Sequence, residues 1–173
     1  MWIDLCLKTN MNNKEAILTS LAPKAYKHKK ANLSLLDSPG LKEHSLARSI
    51  KWVFTLPTRP KLFFHRWAFF DYVVEKTMKE RPFYEFGVWR GVAFKKLVKA
   101  YKKGFGLDTF TGLPEKWHEE KVGTYSSGGN IPNIEGGEFI VGKFEDTLPI
   151  FFAENRPLAS LINFDADLYS STI

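Results

Sequence analysis

A short segment in the middle of the chain joins an acidic side chain to two glycines. It reads Tyr84-Glu85-Phe86-Gly87-Val88-Trp89-Arg90-Gly91, with the acid in an apolar run and the glycines opening a predicted helix. A carboxylate at a strand end can bond a polar group of a ligand, and a glycine lets the backbone approach where a Cβ would clash. A second acid, Asp108, ends the next apolar run, where a ribose diol would be held. These two loops favour a nucleoside ligand.

The spacing of the glycines bears on which nucleoside ligand fits. The dinucleotide fingerprint is G-x-G-x-x-G, in which the second glycine admits a pyrophosphate. Here Trp89 stands two residues after Gly87, and the next glycine is Gly91. The bulky indole disfavours a pyrophosphate, so a nucleoside without phosphates suits the loop better. An ordinary strand-to-helix turn is the alternative, because an acid and two glycines are a weak signal alone.

Predicted strands and helices alternate in the chain that carries these acids. An amphipathic helix over 61–80 has a stripe that indicates a core face, formed by Phe63, Trp67, Phe70 and Val74. The pattern then predicts strands over 83–88, 105–110, 138–144 and 159–164, helices over 90–103, 113–120 and 146–155, and a long surface loop over 121–137. Such alternation indicates parallel strands with right-handed crossovers. We therefore expect an α/β fold, a Rossmann-like parallel sheet with flanking helices, preceded by an N-terminal helical extension.

Acidic side chains fall at the carboxyl ends of all the predicted strands. Ligands of open parallel sheets bind outside those ends, at the switch in strand order. The positions are Glu85, Asp108, 144–146 and 165–167. Their convergence predicts one pocket, although some of these acids could simply cap the following helices.

The N-terminal part of the chain is harder to interpret. We divide the sequence into an extension over 1–60 and a ligand-binding domain over 61–173. The extension has a candidate helix over 13–21 and an apolar turn over 32–36, with prolines and glycine interrupting the pattern afterwards. We expect it to form a helical cap over the ligand cleft.

Composition excludes several classes of protein. The 173 residues carry a net charge of +6, and the single cysteine, Cys6, excludes an internal disulfide framework. A lysine cluster over 95–103 lies on the polar face of a predicted helix and indicates solvation, not nucleic-acid binding, whereas a weak attraction to anions remains open for the cluster over 24–30. No apolar run approaches the length of a membrane span, and no signal pattern opens the chain. We expect a cytoplasmic protein with no membrane or nucleic-acid partner.

Four blocks of sequence occur in an order that resembles a known enzyme family. They are 85–91 (EFGVWRG), 108–114 (DTFTGLP), 142–149 (GKFEDTLP) and 165–172 (DADLYSST). This series resembles the macrocin O-methyltransferase family, whose members use S-adenosylmethionine to methylate sugar hydroxyls of natural products. The resemblance covers residues 62–173 and implies a small-molecule hydroxyl acceptor.

The resemblance also implies roles for individual residues. Glu85 and the turn with Gly87, Val88 and Gly91 would hold the methionine portion of the cofactor. Asp108, with Thr109 beside it, would accept hydrogen bonds from the ribose hydroxyls, and Phe144 and Glu145 would border the adenine. Asp165 would be the catalytic acid that ligates a divalent ion, Mg²⁺, and Asp167 a second residue of that metal site or a helix cap. Metal polarisation or proton removal suits a hydroxyl, whose pKa lies far above neutrality.

One departure from the family pattern leaves other functions open. The family's sheet has further strands, and its metal site is completed by an acid pair after the fifth, whereas this sequence stops at Ile173. We therefore expect cofactor-binding motifs without a complete catalytic centre, in a fragment or a truncated gene product. A non-catalytic module that binds the cofactor, or pairs with another subunit through an open sheet edge, is the second interpretation. An NAD-dependent oxidoreductase is the third, and Trp89 counts against it.

Overall fold

The computed structural model describes residues 33–58, 60–63 and 65–172. The chain divides into two compact units, Met1–Asp71 and Tyr72–Ile173. The candidate helix over 13–21 lies outside the described residues, so it stays a prediction. None of the described helices is both long enough and apolar enough to cross a membrane.

The first unit contains a small helical cluster. A 3₁₀ helix, Leu33–Asp37, precedes helix α1, Ser45–Thr55. The Nδ1 atom of His44 accepts a hydrogen bond from the amide of Leu46 at 3.3 Å and so caps α1. Leu36, Leu41 and Ala47 are buried together in this cluster. Helix α1 has no counterpart among the elements predicted from the sequence.

Helix α2, Arg66–Glu75, is shorter than the helix predicted over 61–80. Phe63 precedes the helix, so it does not extend the stripe formed by Trp67 and Phe70. Phe70 is the buried residue of the helix, and its ring packs edge-on against Trp67 at 5.6 Å between centroids. The buried residue of the helix, Phe70, therefore belongs to the predicted stripe.

The second unit is built on a four-stranded parallel sheet. Its strands are β1, Phe83–Phe86; β2, Gly104–Asp108; β3, Gly137–Val141; and β4, Leu161–Phe164, in the order β3-β2-β1-β4. Helix α3, Val92–Tyr101, connects β1 to β2, and helix α4, Phe144–Ala153, connects β3 to β4. The chain is therefore an α/β protein with a Rossmann-like parallel sheet and flanking helices, as the sequence predicts. The strand order reverses between β1 and β4, which is where such sheets bind ligands.

Aromatic side chains form the core on both faces of the sheet. On one face the Phe94 ring of α3 lies 4.7 Å from the rings of both Phe83 and Phe139. On the other face Tyr84, Phe86, Phe105, Leu107 and Phe151 form one buried cluster. Because side chains alternate along a strand, Glu85 lies on the α3 face and its neighbours Tyr84 and Phe86 lie on the α4 face. The alternation therefore decides to which face of the sheet an acidic side chain within a strand points.

The predicted helix over 113–120 is wrong, because this segment forms turns and one antiparallel bridge between Trp117 and Glu120. The amide of Leu113 donates to the carbonyl of Thr124, and the amide of Gly123 donates to the carbonyl of Leu113, both at 2.9 Å. These bonds join the segment to the loop that follows it. The backbone groups that a helix would use are thus occupied by partners further along the chain.

Candidate functional site

Glu85 lies inside the sheet and is bonded to a side chain of the neighbouring strand. It is 1% exposed, and its Oε1 atom accepts a hydrogen bond from Nδ2 of Asn163 at 2.7 Å. The two residues are directly opposite in the parallel register of β1 and β4. A ligand could reach this carboxylate only if the loops above it separate. Asn163 was not predicted as a site residue, although an asparagine within a buried apolar strand is itself a signal.

The loop after β1 has a backbone that needs glycine. Gly87 and Gly91 have φ of 89° and 71°, in the left-handed region. A Cβ on Gly87 would lie 2.5 Å from the carbonyl oxygen of Asp165. The loops after β1 and β4 are therefore in backbone contact at the switch in strand order. Val88, between the glycines, is buried at 6% exposure and faces the core.

Asp108 fastens the same loop from the other side. Its Oδ2 atom accepts hydrogen bonds from the amides of Val88 and Trp89, both at 2.7 Å. Its Oδ1 atom accepts one from the amide of Phe110 at 2.7 Å. A carboxylate has about four acceptor positions, so these three bonds leave one for a ligand hydroxyl. The neighbouring Thr109 hydroxyl donates to the carbonyl of Gly112 at 3.0 Å and shapes the turn.

The residues expected to border an adenine lie at the start of α4. The ring of Phe144 packs edge-on against Phe86, with 5.6 Å between centroids, so it belongs to the α4 face of the core. Glu145 is exposed and forms an ion pair with Lys143 at 3.2 Å. Glu85 points to the opposite face of the sheet. The structure brings Phe144 and Glu85 to the same edge of the sheet but not into contact.

Asp165 and Asp167 follow β4 directly. The amide of Asp165 donates to the carbonyl of Phe86 at 2.8 Å, which continues the strand pairing into the loop. The pKa of Asp167 is raised, first by the partial burial of its carboxyl and then by the nearby carboxylates of Asp165 and Glu120. A carboxylate with a raised pKa is a stronger base, which suits it to accept a proton.

Asp167 also lies in the wall of a cavity of about 550 Å³. The other lining residues come from the loop after β2 and from the segment after β4: Glu115, Lys116, Trp117, His118, Leu168, Tyr169 and Thr172. The Ser170 hydroxyl donates to Oε1 of Glu115 at 2.6 Å and joins the two segments. Trp117 and His118 were missed as site residues because the sequence predicts a helix there, which hides the turn that exposes them. Neither Glu85 nor Asp108 lines this cavity.

The acids that follow β4 supply two carboxylates, those of Asp165 and Asp167. Within residues 33–58, 60–63 and 65–172, no group of three or more His, Cys, Asp or Glu side chains is placed to hold a metal ion. Mg²⁺ in proteins is usually held by one or two carboxylates, with water molecules completing its octahedral coordination. Within the described residues, Mg²⁺ ligands at this edge of the sheet are therefore limited to these two side chains.

The two acids that the resemblance assigns to the cofactor lie on neighbouring strands, but they differ in access. Asp108, at the end of β2, has one acceptor position left, whereas Glu85, on β1, is buried and bonded to Asn163. Contact of a cofactor with Glu85 would require the loops after β1 and β4 to open. Comparisons of the chain with protein-family models, with curated proteins and with solved structures found no match.

Proposed function

We propose that this chain is an S-adenosylmethionine-dependent O-methyltransferase that acts on a hydroxyl of a sugar or another small molecule in the cytoplasm. One observation carries the proposal: Asp108, Glu85 and Asp165 lie at or near the carboxyl ends of three adjacent parallel strands, which are β2, β1 and β4 in that order. That edge, at the reversal of strand order, is where sheets of this topology take nucleoside ligands. Three of the four sequence blocks that resemble the macrocin O-methyltransferase family follow these strands, and the fourth, over 142–149, follows β3.

The cavity beside Asp167 supports a place for the acceptor. Trp117 and Tyr169 offer aromatic surface, and His118 and Asp167 offer polar groups to orient a hydroxyl. In the transfer, the hydroxyl oxygen forms a bond to the methyl carbon, the carbon–sulfur bond breaks, and the hydroxyl proton passes to a carboxylate. Asp167 lines the cavity and has a raised pKa, so it is placed to receive that proton, while Asp165 adjoins it at the strand end. Mg²⁺ enters only through the family resemblance, and no step here is assigned to it.

Calorimetry with S-adenosylhomocysteine tests the proposal. We expect binding by the intact chain, and binding about tenfold weaker in Glu85→Gln, which removes the charge but keeps an acceptor for Asn163. Glu135→Gln is the control, because Glu135 is an exposed acid outside the site and should bind as the parent does. No heat in a sample shown to be folded by circular dichroism would reject the proposal. Binding of NADH in its place, seen by fluorescence, would favour an oxidoreductase.

A second function, self-association, is favoured by the surface around β4. This strand is at the edge of the sheet and pairs only with β1 in the described residues. Ile162 and Phe164, on its α4 face, are 49% and 52% exposed. Phe152 of α4 is 52% exposed, and its ring lies 6.1 Å from that of Tyr84, which is opposite Ile162 in the register of β1 and β4. We call these three side chains the β4 patch. We propose that a second copy of the chain covers it. The β4 strand of that copy would pair with the unpaired backbone groups of β4, and its own β4 patch would cover the apolar side chains.

A further inference from the structure

A second cavity, separate from the one beside Asp167, lies next to the start of helix α3. Its volume is about 490 Å³, and two cationic side chains, Arg90 and Lys95, are part of its wall. The remaining lining residues are Ser126, Ser127, Asn130, Ile131, Pro132, Asn133 and Ile134. The wall contains no acidic side chain. Two positive charges and no negative one make the cavity a place for an anion.

Neither cation is neutralised within the part of the chain that the structure describes. Arg90 and Lys95 take part in no ion pair there, and both side chains are exposed. The guanidinium of Arg90 lies over the Trp89 ring at 4.7 Å from its centroid, which restricts where its N–H groups can point. A guanidinium held by an aromatic ring keeps its donors for a ligand, because the ring occupies only its flat face.

Another part of the wall is a loop fixed by its own hydrogen bonds. The carbonyl of Phe110 accepts bonds from the amides of Gly129 and Ser127, at 3.0 and 3.2 Å, and the Ser127 hydroxyl donates to the carbonyl of Asn130 at 2.7 Å. The Trp89 Nε1 atom donates to the carbonyl of Ser126 at 3.3 Å, so the loop is tied to the residue beside Arg90. A wall that is ordered before a ligand arrives lowers the entropic cost of binding.

The start of α3 adds to the positive potential near the cavity. Gly91, the N-cap, supplies no side-chain bond to the first turn, and that turn contains no acidic residue. A Cβ on Gly91 would lie 3.0 Å from Ile134 and 3.2 Å from Pro132, both of which line the cavity. The helix therefore begins against the cavity wall, and the positive end of its dipole lies near the cavity.

The size and lining of the cavity indicate which uncharged groups an anionic ligand carries. A volume of about 490 Å³ exceeds what an inorganic anion fills, and it lies within the range of sites for small organic ligands. Ile131, Pro132 and Ile134 give the wall an apolar part, and Asn133 adds an amide. We propose that this cavity binds a small organic phosphate, a phosphomonoester whose phosphate meets Arg90 and Lys95 and whose carbon skeleton lies against the isoleucine and proline side chains.

Titration calorimetry of the full chain with ribose 5-phosphate, and with ribose, tests the inference. We expect ribose 5-phosphate to bind with a Kd on the order of 1 mM or tighter and ribose to give no heat. Lys95→Gln should weaken binding about tenfold, and Arg90→Gln combined with it should weaken binding further. Lys99→Gln is the matched control, because it removes the same charge one turn later on α3, outside the cavity wall. It should change the Kd less than about twofold.

Several results would overturn the inference. Equal losses in Lys99→Gln and Lys95→Gln would mean that the general positive charge of the chain attracts the ligand, not the cavity. If ribose bound as tightly as ribose 5-phosphate, the phosphate would not contribute to binding. Binding of a single-stranded oligonucleotide that Lys99→Gln weakens as much as Lys95→Gln would point to a nucleic-acid surface instead. No heat with ribose 5-phosphate, in folded protein, would reject the site. The titration contains no adenosyl ligand, so its outcome is independent of methyltransferase activity.

Discussion

Asp108 connects two loops through its side chain alone. Both of its oxygens accept backbone amide bonds, two from the loop after β1 and one from its own loop. Bonds to an ionised acceptor are short and stronger than bonds between neutral groups. The residue that the sequence assigns to ribose binding is therefore also the residue that sets the shape of the glycine loop.

We predict that Asp108→Ala lowers the free energy of unfolding by about 3 kcal/mol, because it leaves half-buried amides without their ionised acceptor. Asp108→Asn retains one oxygen and should lose less. Urea denaturation followed by circular dichroism measures both changes. Asp146→Ala is the control, since Asp146 is an exposed acid in the first turn of α4 and should lose less than about 1 kcal/mol. A loss no larger in Asp108→Ala than in the control would show that Asp108 does not fasten the loop.

The sequence predicts where an acidic side chain lies along a strand, but not which groups it contacts. Glu85 and Asp108 are candidate site residues because acids at the ends of apolar runs stand out in the sequence. The hydrogen-bond partners of these acids were not predicted. The pairing of Glu85 with Asn163 depends on the register of β1 against β4, and a register between strands so far apart in the chain cannot be read from local pattern.

At the scale of the elements, the contact between the loops after β1 and β4 restricts access of a ligand to Glu85. Gly87 permits this contact because it has no Cβ, and its φ of 89° suits few other residues. Two costs thus fall on any larger residue at this position. They are the strain of a left-handed backbone and the clash with the carbonyl of Asp165.

We predict that Gly87→Ala destabilises the chain by about 3 kcal/mol, the sum of about 1 kcal/mol of backbone strain and about 2 kcal/mol for the displaced loop. Gly129→Ala separates the two costs. Its φ of 76° is similar, but nothing lies within 4 Å of the added Cβ, so only the backbone strain applies. Thermal and urea unfolding of the two variants measure the difference. Equal destabilisation would mean that the loops after β1 and β4 move apart at little cost.

The hydrophobic pattern predicts the order of the strands and helices in the sheet domain, but not the residues at which they begin and end. All four strands were predicted, because short apolar runs between helical segments are typical of a parallel sheet. The segment over 113–120 was assigned to a helix because its pairing partners, Gly123 and Thr124, lie in the loop that follows. Helix α1 was missed because proline and glycine interrupt the pattern on both sides of it.

For the whole molecule, the exposed edge at β4 contrasts with the covered strands at the centre of the sheet. Phe86 and Phe164 stack with 4.6 Å between centroids, yet Phe164 stays 52% exposed because no element covers its outer side in the described residues. An exposed edge strand with apolar side chains can pair with another chain. The parallel sheet and its flanking helices were predicted from the sequence, but which strand lies at the edge depends on strand order, which alternation does not determine.

If a second copy covers the β4 patch, the chain should be a dimer whose stability depends on that patch. We predict that light scattering at micromolar concentration gives twice the mass of the 19.9 kDa chain. Phe164→Lys should give a monomer, because it places a charge within the apolar patch that the second copy would cover. Val122→Lys is the control, since Val122 is 64% exposed outside the patch and should leave the dimer intact. A parent chain that stays monomeric, or a Phe164→Lys variant that stays dimeric, would contradict pairing through β4.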